Sequence, residues 1–134
     1  MGYLPVIWKV DCNPTEYRFK DGKPIRYPSP EGPTEIAGTP VFWKNRVYVT
    51  TGDDPDRGEG VGDLVCIDAT QTGDVTQTGV LWRNKEIHRT MSTASITPEG
   101  LLFIADFSGF VHCLDADTGQ SYRGTKPRVS SFKL

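Results

Sequence analysis

Short apolar runs separated by Gly, Pro, Asp and Asn make up most of this 134-residue chain. No long stretch places apolar residues at helical spacing, and a run such as 101–105 is apolar throughout. Apolar runs of this length between turn-forming residues are typical of β-strands, and continuous apolar character is typical of strands covered on both faces. The pattern therefore predicts an all-β chain.

The chain also contains an internal repeat, in which each unit carries short strands and a Thr-Gly turn before its last strand. The aligned segments are 39–41 with 94–96, 46–49 with 101–104, 62–69 with 109–116 and, for a third, partial copy, 6–9 with 80–83. A period near ~45 residues with four short strands is the signature of a propeller blade. The sequence thus predicts a partial β-propeller of about three four-stranded antiparallel blades.

The repeat divides the chain into five parts. These are the closing strand of an incomplete blade (1–10), an inter-blade connection (11–35), two complete blades (36–84 and 85–123) and a tail (124–134). The predicted strands are 40–43, 46–51, 64–67 and 80–83, then 95–97, 101–105, 111–114 and 120–123. Asn45 and Gly100 are expected to form the tight turns between the first two strands of each blade. The tail lacks the repeat pattern and is open to interpretation as a linker, a non-native end or a strand added to another subunit's edge.

Residues 111–120 read Val-His-Cys-Leu-Asp-Ala-Asp-Thr-Gly-Gln. This string resembles the pyrroloquinoline-quinone (PQQ) type of repeat, a WD40-like propeller repeat written Ala-Leu-Asp-Ala-x-Thr-Gly-Lys and followed by a Trp. The resemblance implies that Asp and Thr-Gly organise a loop and that the Trp docks on the next blade. The matching structural residues are Asp68, Thr72, Gly73, Trp82, Asp115, Thr118 and Gly119, with Trp8 as the counterpart from the incomplete unit. In the last unit the Trp position falls at Arg123.

Charge and cysteine usage narrow the function classes. The formal net charge is −2 and no Lys/Arg stripe occurs, which argues against a nucleic-acid or anionic-membrane surface. The apolar runs are too short to span a bilayer, and the N-terminus has no signal-peptide pattern. The three cysteines fit neither a disulfide framework nor a zinc motif. Cys66 and Cys113 occupy the same repeat position and are expected to be small packed residues.

Two groups of residues are candidates for chemistry. An acidic, Gly-rich loop could wrap Ca²⁺, or it could be a solvated hairpin loop; its carboxylates are Asp53, Asp54, Asp56, Glu59 and Asp63. A second group is expected near the propeller's central channel, either binding a ligand or making ordinary loop hydrogen bonds; it comprises Arg89, Ser92, Thr93, Asp106 and Ser108. His112 is expected in a central strand and His88 in an inter-blade connection.

The sequence favours a non-catalytic scaffold or binding module, expected to be a piece of a larger PQQ-like repeat protein, because a fold alone does not specify a reaction. The alternative is a fragment of a PQQ- and calcium-dependent dehydrogenase. That family uses a disulfide of adjacent cysteines, Ca²⁺ and an Asp base, whereas this sequence has no Cys-Cys pair. The sequence predicts no cofactor for the scaffold, whereas the alternative would use both PQQ and Ca²⁺. The expected partners are other copies of the chain, the missing blades or other proteins, and the resemblance favours a periplasmic or extracellular location.

Overall fold

A computed structural model describes residues 5–13, 18–25, 35–52, 62–122 and 131–133. Within these ranges the regular structure consists of strands and turns without any helix, so the all-β prediction is confirmed for the described residues. No helix long and apolar enough to cross a membrane occurs among them. The strands are β1 (Trp8–Lys9), β2 (Phe19–Lys20), β3 (Lys23–Pro24), β4 (Val41–Trp43), β5 (Arg46–Thr51), β6 (Asp63–Asp68), β7 (Gly73–Asp74), β8 (Val80–Asn84), β9 (Ser95–Ile96), β10 (Leu101–Ala105), β11 (Phe110–Asp115) and β12 (Ser131–Lys133).

Two four-stranded sheets carry most of the structure. The first sheet has the order β4-β5-β6-β8 and the second has the order β9-β10-β11-β12, with every neighbouring pair antiparallel. Two smaller pairs accompany them: β1 lies parallel to β7, and β2 with β3 forms an antiparallel hairpin. The first sheet is built from the first complete repeat unit, and the second combines three strands of the second unit with β12 from the tail.

The turns between the first two strands of each sheet lie where the sequence predicts them. Lys44 and Asn45 both have positive φ, 47° and 60°, between the paired residues Trp43 and Arg46. Two positive φ angles in a two-residue loop are the requirement of the type I′ turn, which matches the strand twist. Gly100 has φ 90° at the corresponding place in the second sheet.

The second and third strands of the two sheets share the register that the repeat alignment implies. Tyr48 pairs with Cys66 in the first sheet, and the aligned Phe103 pairs with Cys113 in the second. Each third strand is also tied to the preceding turn: the Ala69 amide donates to the Asn45 carbonyl at 3.0 Å, and the Ala116 amide donates to Gly100 at 2.9 Å. Aligned residues of the second and third strands therefore occupy equivalent positions in the two sheets. The first strands differ by one residue, because Val41 pairs with Tyr48 whereas the aligned Ile96 pairs with Leu102.

The fourth strand of the second sheet differs from the prediction. Ser121 pairs with Leu114 as expected, and the Tyr122 amide donates to the Cys113 carbonyl at 3.0 Å. The pairing along β11 is then continued by β12 from the tail, with Ser131 opposite His112. Residues 123–130, which stand between these two stretches, lie outside the described residues. The tail thus adds a strand to its own chain's sheet, a pairing that its composition did not signal.

Residues 74–79, which separate the Thr72-Gly73 turn from β8, contact the N-terminal segment, and we call them the insertion. Trp8 and Lys9 lie parallel to Gly73 and Asp74, and the Val75 amide donates to the Lys9 carbonyl at 2.9 Å. Val75 itself is buried. The insertion is therefore part of the packing between the N-terminal segment and the first sheet.

Two apolar clusters lie on opposite faces of the first sheet. The cluster between the two sheets has Trp82, Val41, Trp43 and Ile96 at its margin, and its buried members are Tyr48, Leu64, Cys66, Ile87, Ala94, Leu102, Ile104, Leu114 and Ala116. The cluster on the other face has Trp8, Val10, Val47 and Val80 at its margin, and its buried members are Cys12, Val49, Val65, Ile67 and Val75. The first sheet is therefore covered by the second sheet on one side and by the N-terminal segment on the other.

Candidate functional site

The polar side chains that the sequence grouped near a channel come together in part, at one end of the second sheet. The turn between β10 and β11 places Asp106 and Ser108, and the connection from β8 to β9 places Arg89 and Ser92. The two segments are joined where the Phe107 amide donates to the Arg89 carbonyl at 2.9 Å. Thr93 makes a different contact: its hydroxyl accepts a hydrogen bond from the Thr39 amide at 3.3 Å.

Asp106 is the centre of this cluster because its carboxylate accepts hydrogen bonds from both segments. One oxygen accepts the amides of Ser108 at 3.0 Å and Phe110 at 3.2 Å. The other oxygen accepts the His88 amide at 3.3 Å and faces Nε2 of His112 at 2.7 Å. The carboxylate therefore closes the β10–β11 turn and fastens the β8–β9 connection to it.

The hydrogen bonds also determine the charge state of Asp106. Burial opposes the charged form, but the His112 hydrogen bond and the amides of Phe110 and His88 outweigh it, so the pKa of Asp106 lies below its ordinary value. An ionised Asp106 is consistent with a carboxylate that only accepts hydrogen bonds.

The β8–β9 connection packs closely against the end of the first sheet at which β5 ends and β6 begins. A Cβ at Gly52 would lie 2.5 Å from the Thr90 nitrogen, and a Cβ at Gly62 would lie 2.2 Å from the His88 carbonyl oxygen. Glycine at these two positions permits that close approach, because any side chain would displace the connection. Thr90 is buried there, and its hydroxyl donates to the Ala105 carbonyl at 2.5 Å.

A cavity of about 240 Å³ opens beside this cluster, lined by Thr90, Met91, Ser92, Asp106 and Phe107. The exposed polar pair nearby consists of Nδ1 of His88 and the hydroxyl of Ser108, which are hydrogen-bonded. Since the Asp106 carboxylate already accepts four contacts, this end of the sheet is organised chiefly as a structural anchor.

Of the predicted calcium-binding loop, Asp53, Asp54, Asp56 and Glu59 lie outside the described residues. Asp63 begins β6 with a fully buried side chain, and its carboxylate contacts the guanidinium of Arg83. The same guanidinium donates to the Cys12 carbonyl at 2.9 Å, which ties the N-terminal segment to the first sheet. No group of three or more His, Cys, Asp or Glu side chains that could hold a metal ion occurs within the described part of the chain.

The repeat-motif aspartates each organise the turn that follows them. The Asp68 carboxylate accepts hydrogen bonds from the Thr70 hydroxyl at 2.6 Å and from the Thr70 amide at 2.9 Å. These bonds keep the pKa of Asp68 below its ordinary value. Asp115 accepts the amides of Thr118 at 2.9 Å and Asp117 at 2.8 Å, with the same direction of pKa shift. Gly73 and Gly119 end these turns with φ of 82° and 73°. Thr72 is exposed in the first turn, and the hydroxyl of Thr118 accepts the Gln120 amide in the second at 3.3 Å.

Trp82 connects the two sheets through the second of these turns. Its indole Nε1 donates to the Ala116 carbonyl at 3.2 Å, and a Cβ at Gly119 would lie 2.4 Å from its Cε3. Trp8 behaves differently: it lies beside Gly73 in register, yet no atom of the described residues lies within 4 Å of a Cβ position at Gly73. The aligned turns are therefore covered differently in the two units.

Three polar contacts between the sheets are not indicated by the sequence. The Tyr48 hydroxyl donates to the Ala116 carbonyl at 3.0 Å, and the Arg46 guanidinium pairs with the Asp117 carboxylate at 2.5 Å. The side-chain amide of Asn84 donates to the Gly119 carbonyl at 2.9 Å. All three converge on the turn that Trp82 covers. Tyr48 and Arg46 align with Phe103 and Leu101, which have apolar side chains. The repeat alignment therefore did not predict polar contacts at these two positions.

Comparison with known proteins gives no family for the chain: no protein-family model matches it, and neither does any curated protein.

Proposed function

We propose that this chain is a non-catalytic scaffold or binding module of the β-propeller type, built from PQQ-like repeats. The observation that carries the proposal is the contact of Trp82, on the last strand of the first sheet, with the Thr118-Gly119 turn of the second. In a repeat architecture each unit contacts its neighbours through such interfaces, and stability comes from the stacking.

The arrangement of the faces supports this proposal. The first sheet packs one face on the second sheet and the other face on residues 8–12. Residues 6–9 align with the closing strand 80–83 of a complete unit. Consecutive units thus meet face to face, as the blades of a propeller do.

A binding role is favoured over a catalytic one because the best polar cluster is occupied by structural hydrogen bonds. The Asp106 carboxylate holds the amides of Ser108, Phe110 and His88 and faces His112. The proposed partners of the module are other copies of the chain, further repeats or other proteins. They would bind to its exposed apolar side chains. On the resemblance to PQQ repeats we also propose a periplasmic or extracellular location for such a module.

The alternative, a piece of a PQQ- and calcium-dependent dehydrogenase, rests on the repeat resemblance alone. Four of its five candidate calcium ligands lie outside the described residues, and the fifth, Asp63, contacts Arg83. Nothing in the geometry of the described residues favours this reading over the scaffold.

Calorimetric titration of PQQ into the full chain in the presence of Ca²⁺ separates the two proposals. The scaffold proposal expects heats no larger than those of the same titration into heat-unfolded protein, which serves as the control. Saturable heats that require both folded protein and Ca²⁺ would overturn the scaffold proposal and support the dehydrogenase alternative.

A further inference from the structure

The contact between the two sheets uses two different kinds of face. The first sheet contributes Tyr48, Leu64 and Cys66, whereas the second contributes Leu102, Ile104 and Leu114. Because side chains alternate between faces along a strand, every sheet of this repeat has one face of each kind. We call them the Tyr48-type face and the Leu102-type face.

The second sheet has a Tyr48-type face of its own. By alignment and register, Phe103, Val111 and Cys113 occupy the places of Tyr48, Leu64 and Cys66. Phe103 is 37% exposed, and Val111 and Cys113 are partly exposed. This apolar face has the composition of the face that packs between the sheets, but here it reaches solvent.

The first sheet has a Leu102-type face that is covered only in part. Residues 8–12 pack against Val49, Val65 and Ile67. Towards the β4 edge of the same face Phe42 pairs with Val47 and remains 66% exposed. At Gly73, whose turn aligns with the turn under Trp82, a Cβ would meet no atom of the described part of the chain within 4 Å.

We propose that copies of this chain associate head to tail, with the Phe103–Val111–Cys113 face of one copy covering the Phe42–Val47 side of the next. The occupant is a second copy because both halves of the contact are exposed on one chain and match the two halves of its internal contact. A contact between unlike faces is heterologous, so each copy keeps one free face and can bind a further copy. This inference rests on the proposed repeat scaffold.

The association is expected to be weaker than the contact within the chain. The hydroxyl of Tyr48 and the guanidinium of Arg46 fasten the internal contact to Ala116 and Asp117. Phe103 and Leu101 stand at the aligned positions and have no polar atom in the side chain. The contact between copies therefore lacks two of the anchors and depends on buried apolar area.

Sedimentation velocity on the full chain tests the proposal with two variants and their mixture. Phe42→Asp and Phe103→Asp each place a charge on one half of the contact, at exposed positions where folding is expected to persist; circular dichroism checks this. The wild type should gain mass as concentration rises, and each variant alone should remain monomeric. An equimolar mixture should form a dimer and nothing larger, because one intact face remains on each variant.

Three results would overturn the inference: a wild-type chain that is monomeric from micromolar to millimolar concentration, a variant that still associates, or a mixture that stays monomeric. The first is also the result expected if only further repeats of a longer chain cover the face. Failure of the head-to-tail association is distinct from failure of the proposed scaffold function. Saturable PQQ binding would remove the scaffold role whatever the oligomeric state, and monomers throughout would leave the repeat packing and the titration result unchanged.

Discussion

The indole of Trp82 covers Gly119 so closely that a Cβ at that glycine would lie 2.4 Å from Cε3 of the indole ring. Gly119 has φ 73°, a conformation that favours glycine, so both the backbone and the indole require the absence of a side chain. Trp82 also donates its Nε1 to Ala116, three residues earlier in the same turn. One side chain on the first sheet thereby fixes the turn of the second.

The Ala116 carbonyl is expected to couple Tyr48 and Trp82 energetically. It accepts the Tyr48 hydroxyl at 3.0 Å and the Trp82 indole at 3.2 Å, so either donor satisfies it when the other is removed. Tyr48→Phe alone should cost about 1 kcal/mol of unfolding free energy, and the double variant with Trp82→Phe should lose about 1–3 kcal/mol more than the two single losses together.

Urea denaturation of the four proteins in this cycle measures that coupling, and Phe keeps a ring at both positions. Phe103→Tyr is the matched control, since it adds a hydroxyl at the aligned, exposed position and should leave stability nearly unchanged. Additive losses would contradict a shared acceptor.

The repeat alignment was enough to predict the pairing of aligned strands and the turns at Asn45 and Gly100, because both follow from local sequence. It was not enough to place residues 131–133 on β11, since nothing in the composition of the tail identifies a long-range partner. It also missed the pairing of β1 with the insertion after Gly73. Both misses concern pairings that the repeat alignment does not give, because β12 lies beyond the second unit and β1 was aligned with β8 rather than placed beside β7.

The candidate site was predicted less completely than the fold. The sequence grouped Asp106 and Ser108 with Arg89, and the structure joins these segments, but His88 and His112 were left out of the group. A strand histidine gives no sign of its partner until the turn places Asp106 beside it. Asp63 was grouped with the acidic loop, whereas its contact with Arg83 depends on the pairing of β6 with β8.

Asp106 should make the free energy of unfolding depend on pH in the acid range. Its pKa in the folded protein lies below the unfolded value of about 3.9, so the unfolded chain binds the proton first as pH falls. The stabilisation from ionised Asp106 is fully present above the pKa that Asp106 has in the unfolded chain. It is lost as pH falls through the pKa that Asp106 has in the folded protein. Asp106→Asn should lower stability at neutral pH and reduce the slope of unfolding free energy below about pH 4. A slope equal to that of the wild type would contradict this role.

The contact between Arg83 and Asp63 should be among the most sensitive polar contacts. Asp63 is fully buried and the Arg83 side chain is 23% exposed, so Arg83→Met removes a guanidinium from beside a buried carboxylate. We expect a loss of about 3–5 kcal/mol, measured by urea denaturation, with part of it recovered in the Asp63→Asn, Arg83→Met double variant.

Lys9→Met is the matched control for that experiment, because it breaks an ion pair with Asp74 in which both side chains are mostly exposed. Its stability should stay close to that of the wild type. Equal losses for Lys9→Met and Arg83→Met would contradict the importance given to burial.

The three thiols should differ in reactivity. Burial raises the pKa of Cys12, Cys66 and Cys113, that of Cys66 to about 11, but Cys113 alone among them is partly exposed. Iodoacetamide followed by peptide mass analysis should therefore modify Cys113 first, at low protein concentration, and Cys66 only in denaturing urea. Modification of Cys66 before Cys113 in the native protein would contradict the packing described for the two faces.

The central claim, that Trp82 holds two consecutive repeats together through the second turn, is tested most directly by the unfolding free energies of Gly119→Ala and Gly73→Ala. Both glycines have positive φ, which should cost each alanine variant about 1–2 kcal/mol. Only Gly119 lies under an indole, so Gly119→Ala should lose about 1–3 kcal/mol more. Equal losses in the two variants would mean that the indole does not press on the turn, and would contradict the claim.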